Sequence, residues 1–105
     1  MGVTVSHNKS KQQMMRDIDR SFDDLFRGIG VIPIQFVSER RSWQGSTLTF
    51  SLAAKMGLLS APVKGTIEVI DRDLTIDLDL GLLERLIPTT KAREAISSRV
   101  RGLLT

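Results

Sequence analysis

The chain has 105 residues, of which 41% are hydrophobic and 26% charged, with no cysteine and a formal net charge of +3. That length suits one domain around a single core, and the lack of cysteine excludes disulfide staples and thiolate metal sites and fits a reducing, cytoplasmic compartment. The mild basicity is too dispersed to argue for nucleic acid, and no window approaches the roughly 20 apolar residues of a membrane span.

Gly2 to Ser6 reads as a short first strand. The opening Met1-Gly2-Val3-Thr4-Val5-Ser6 also satisfies the short N-myristoylation pattern, while the basic-then-apolar layout of a secretory signal is missing. Asn8 or Ser10 can cap a helix by accepting a hydrogen bond from a free backbone N–H. Met14, Ile18, Phe22, Leu25, Phe26 and Ile29 then share one helical face, and Arg16, Asp17, Asp19, Arg20, Asp23 and Asp24 occupy most of the rest. Gly28 and Gly30 end that helix.

Pro33 opens a strand from Ile34 to about Trp43. Its inward set is irregular, Ile34 and Phe36 followed by Glu39-Arg40-Arg41, as expected of an edge strand guarded by charge. Clean alternation follows. Leu48, Phe50 and Leu52 alternate with Thr47, Thr49 and Ser51; Ile67 and Val69 with Thr66 and Glu68; Leu74, Ile76, Leu78 and Leu80 with Thr75, Asp77 and Asp79. A period of two buries one face of each strand and wets the other. The short turns Gln44-Gly45-Ser46 and Asp71-Arg72-Asp73 make neighbouring strands antiparallel.

Strands are thus predicted at 47–55, 63–70 and 74–80, with residues 56–62 as a connector unusually apolar for a loop. Leu82, Leu83, Leu86 and Ile87 form a short amphipathic turn broken by Pro88. Thr89 or Thr90 caps a last helix whose buried stripe is Ala92, Ala95, Ile96, Val100 and Leu103. The predicted fold is α+β, in the order β-α-β-β-β-β-α. One curved antiparallel sheet with both helices packed on one face, a helix-grip-like layout, buries every stripe.

Residues that could carry chemistry are few. His7 has no partner at a motif spacing and is expected to cap the first helix or lie at the surface. Asp77 and Asp79 share a solvated strand face, where a divalent cation would need further ligands that the sequence does not supply. The last helix carries Lys91, Arg93, Arg99 and Arg101 against Glu94, a solvated basic face or a surface for an anionic partner. No nucleophile–base pair, metal ligand set or cofactor motif is visible, so a non-enzymatic protein is expected. The least ordinary feature is the apolar excess at Met56, Leu58, Leu59, Leu82, Leu83, Leu86 and Ile87. These residues either close the ends of the core or form an apolar contact surface, a pocket mouth or a dimer interface.

Taken together, Val5-Ser6-His7, the run Trp43-Gln44-Gly45-Ser46-Thr47-Leu48-Thr49-Phe50-Ser51, Met56-Gly57 and Val63-Lys64-Gly65-Thr66-Ile67-Glu68-Val69 resemble the polyhydroxyalkanoic acid system family, small proteins of bacterial polyester granule regions. The leucine-rich segment after Asp79 adds to the match, which spans nearly the whole chain; the connection at 58–62 looks longer than the family's usual one. The resemblance implies no established activity or cofactor. It implies a bacterial cytoplasmic protein whose partner is a storage-granule surface or a granule protein. A helix-grip-like carrier enclosing an acyl or other hydrophobic ligand is the alternative.

Overall fold

The computed structural model describes residues 1–26, 34–85 and 87–102, Leu82 by its backbone alone. Its elements are β1 (Gly2–Ser6), α1 (Lys11–Leu25), β2 (Gln35–Gln44), β3 (Thr47–Met56), β4 (Leu59–Val69), β5 (Asp73–Asp79), a 3-10 turn (Gly81–Arg85) and α2 (Thr89–Gly102). The five strands make one antiparallel sheet in the order β1-β5-β4-β3-β2, with both helices on one face. The α+β order read from the sequence is the observed one. The expected helix stop at Gly28 and Gly30, Ile29 of the first stripe, the strand opening at Pro33, Leu86, and Leu103 of the last stripe lie outside the described residues.

Alternation places the core. Leu48, Phe50 and Leu52 of β3, Val63, Ile67 and Val69 of β4, and Leu74, Ile76 and Leu78 of β5 all turn to the helix face and are buried. Helix α1 answers with Met14, Ile18, Phe22 and Leu25 at steps of four and three. The Ser10 hydroxyl caps it by accepting from the Gln13 N–H at 3.1 Å. The rings of Phe22, Phe26 and Phe50 meet at centroid distances of 5.0 to 5.4 Å, tilted and edge-on as ring quadrupoles prefer. This trio fills the space beneath α1. Gly65 makes room for it, because a Cβ there would lie 2.5 Å from the Phe50 ring and 2.7 Å from the Asp77 carbonyl oxygen.

Strand β2 owes its irregular sequence to a bulge. Ser38 pairs with Leu52 and Arg40 with Ser51, so Glu39 is the extra residue. Before it Phe36 and Ser38 share the helix side; after it Arg41 and Trp43 do. The Arg41 guanidinium sits 5.1 Å from the centre of the Phe22 ring, and the Trp43 indole N–H donates to Asp19 at 3.1 Å. Residue 41, charged, therefore occupies a helix-side position that periodicity alone assigns to an apolar residue.

Three expectations need correction. Residues 59–62 are strand, not connector: β4 begins at Leu59, and the hairpin turns tightly at Gly57-Leu58 with Met56 paired to Leu59. Gly57 has φ +61° and no other residue of that turn has positive φ, the pattern of a type II′ hairpin turn. Pro62, read as a loop marker, is tolerated because β5 pairs with β4 only from Lys64 onward, so at Pro62 β4 has an open side. Second, His7 is neither at the surface nor a cap. It is buried, its Nε2 2.7 Å from the Ile70 carbonyl and its Nδ1 accepting from the Lys9 N–H at 3.2 Å, and it fastens the end of β1 to the β4–β5 turn. Third, α2 starts at Thr89 with the Pro88 carbonyl accepting from Ala92, so Thr89 and Thr90 lie inside its first turn.

Candidate functional site

The two ends of the sheet differ in chemistry. Toward the β3–β4 hairpin, β2, β3 and β4 run past the end of β5. Within residues 35–38 and 52–63 of this distal end the only charged side chain is Lys55. The helix face there is apolar but for Ser38, and the open face is mixed, with the polar row Gln35-Lys55-Ser60 next to the tip. On the open face Val37, Ala53 and Pro62 form a row across three strands, and on the helix face Phe36, Ala54 and Ala61 form another. The hairpin tip completes it: Leu58 is 106% exposed and Leu59 70%, while Met56 is half-buried against the core. A tight turn needs no leucine at its second central position, and burial gives Leu58 no structural reason to be apolar.

The predicted apolar residues are thus partly brought together. Met56, Leu58 and Leu59 cluster at the tip. Leu83 and Ile87 do not join a contact surface, because they are buried, 1% and 2% exposed, where the 3-10 turn and the chain after it close the core. The side chains of Leu82 and Leu86 lie outside the described residues. On α2, Lys91, Arg93 and Arg101 are exposed and Arg99 is half-buried. That helix packs on β1, the edge strand opposite β2, so the basic residues belong to another part of the molecule.

Beside the apolar end, the open face turns polar. Lys64, Ser51 and Arg40 form a row across β4, β3 and β2, and Thr66, Thr49 and Ser42 form the next. A cleft of about 670 Å³ lies over this region, lined by Glu39, Arg40, Ser42, Thr49, Ser51 and Lys64 among others. A neighbouring cleft of about 350 Å³ shares Thr49 and Lys64 and reaches Asp77 and Asp79. Asp79 spends one carboxylate oxygen on the Gly81 N–H at 3.1 Å. Among the described residues no group of three or more histidine, cysteine or carboxylate side chains converges on a metal-sized site.

A second polar cluster went unnoticed in the sequence. Asp17, placed among the wet residues of α1, is only 7% exposed. Its carboxylate accepts from the Lys9 ammonium at 2.7 Å, the Gln13 amide at 2.9 Å and the Arg20 guanidinium at 2.8 Å. The hydrogen bond from Lys9, against the opposing cost of burial and with help from Gln13 and Arg20, holds its carboxyl below the ordinary carboxylate range. So saturated an acceptor is a clamp on the start of α1, not a proton donor. The signal was legible: Gln13 and Arg20 stand at the four- and three-residue spacings that place side chains together on a helix.

No family model matches the chain, and no curated protein or solved structure does either. No helix among the described residues is long and apolar enough to cross a membrane.

Proposed function

We propose that this chain is a non-enzymatic accessory protein of the bacterial polyhydroxyalkanoate granule system, cytoplasmic, that docks on a hydrophobic surface by the hairpin end of its sheet. One observation carries the reading: two exposed leucines, Leu58 and Leu59, cap a sheet end that carries an apolar row on each face and holds a single charge. An exposed contiguous apolar patch marks a contact surface more often than a lone exposed leucine does. The sequence resemblance supplies the surface, that of a polyester granule. The carrier alternative is less favoured, since Phe22, Phe26 and Phe50 occupy the space beneath α1 where an enclosed ligand would lie.

Co-sedimentation of the purified protein with polyester granules tests this. The unmodified protein is expected in the pellet, and the double substitution Leu58→Asp with Leu59→Asp in the supernatant. Equal sedimentation of the two proteins would sink the proposal. So would a fall in mass on gel filtration for the double variant, which would mean that the apolar end covers a second copy of the chain.

A further inference from the structure

The row Lys64-Ser51-Arg40 lies directly between the apolar end of the open face and its hydroxyl-rich remainder. We infer that this row binds the head groups of anionic phospholipids, with the hairpin tip entering the acyl layer beside them. The inference rests on the surface-docking reading above and names the chemistry of the surface.

Charge and spacing lead there. The ammonium of Lys64 and the guanidinium of Arg40 flank the Ser51 hydroxyl in an open cleft of about 670 Å³. Neither cation has an ion pair among the described residues. Three carboxylates stand nearby. Glu39 lines the same cleft, Asp77 shares the neighbouring cleft with Lys64, and Asp79, the neighbour of Lys64 on β5, is turned to the Gly81 N–H. A phosphate oxyanion between the two cations would receive both charges and a hydroxyl donor, the combination that recognises phosphate.

The distances suit a lipid layer. From the Met56–Leu59 pair to the Ser51–Lys64 pair is five residues along β3, or about 17 Å at strand rise. With the sheet tilted tip first and its open face toward the surface, heads at Lys64 and Arg40 leave Leu58 at the end of the hairpin to reach about 5–10 Å into the head-group and acyl boundary. The rows Val37-Ala53-Pro62 and Gln35-Lys55-Ser60 then lie along the intervening stretch, and nothing acidic occurs in them. Lys55, exposed one residue behind Met56, sits at the head-group level or reaches back to it with its long stem.

Vesicle sedimentation distinguishes this from the broader reading. The probes are phosphatidylcholine vesicles, the same vesicles with 30 mol% phosphatidylglycerol, and polyester granules. The unmodified protein is expected to prefer the phosphatidylglycerol vesicles, and to lose that preference in 1 M salt, where screening acts over about 3 Å. Arg40→Gln with Lys64→Gln is expected to weaken binding to those vesicles by about 25-fold, roughly fivefold per cation, with thermal stability unchanged. Unchanged vesicle binding in this variant, or a preference insensitive to salt in the unmodified protein, overturns the inference and leaves the granule reading standing. Granule binding that survives Leu58→Asp with Leu59→Asp overturns the reading beneath it.

Discussion

The two ends of one sheet obey different rules. Under the helices every inward position is accounted for by a neighbour: Phe50 against Phe22 and Phe26, Gly65 against Phe50, Val5 beneath α2's end of the molecule. At the hairpin end the same three strands continue with apolar residues on both sides and with large side chains that touch little. Packing explains the first region and leaves the second unexplained. The contrast teaches where to look for function, since an apolar residue that stabilises nothing within its own fold is available to something else.

Substitutions can sharpen or break that contrast. The largest effect is expected for Gly65→Ala, whose added methyl would press on the Phe50 ring and on the backbone oxygen of Asp77. Backbone cannot swing aside as a flexible side chain can, so the cost should approach about 3 kcal/mol, the upper part of the overpacking range. Denaturant unfolding reads it directly; a loss under about 0.5 kcal/mol would show that the filled region is looser than its packing implies.

Asp17→Asn should come next, at about 1.5 kcal/mol, the scale of hydrogen bonds to a charged group. Its sign in pH is fixed by the lowered folded-state value. The carboxylate's contribution is present above the unfolded carboxylate range and lost as pH falls through the lower folded value. The gap between the unmodified protein and the variant should therefore hold at neutral pH and close below about pH 4. A gap that persists at pH 2 would assign the loss to packing and not to charge.

The smallest effect is expected for Leu58→Asp. With Leu58 fully exposed, stability should change by less than about 0.5 kcal/mol. A large loss would erase the difference between the two ends by giving the tip a structural role.

Much of the fold was legible because strands β3 and β5 alternate without error and α1 carries an unbroken stripe. Where the reading failed, a long-range partner had changed a local meaning. Pro62 signals a break only if both sides of its strand are paired, and the shortness of β5 is not written near residue 62. Arg41 stays exposed on an edge strand, as its charge suggests, and only its contact with the Phe22 ring was not legible locally. His7 and Asp17 looked wet because burial depends on donors and acceptors brought from elsewhere, the Ile70 carbonyl and the Lys9 ammonium. Of the candidate surface, Leu58 and Leu59, singled out by their excess over any strand pattern, are exposed at the hairpin tip. Leu83 and Ile87 shared the same composition and turned out to be core, since composition records apolarity and not direction.

The bulge at Glu39 gives β2 an independence between its halves. Side chains on a strand keep a strict phase, so a single chain segment ordinarily commits every second residue to one environment. One extra residue resets that phase. Phe36 can serve the apolar end while Arg41 and Trp43 serve α1, although odd and even positions would otherwise set them on opposite faces. Pairing Glu39 in regular register, with no bulge, would force a choice: holding the hairpin end in place would bring Arg40 and Ser42 over Phe22 and throw Trp43 to the open side, and holding α1's contacts would invert the apolar end. The extra residue acts as a gear between two surfaces that share a strand but not a task.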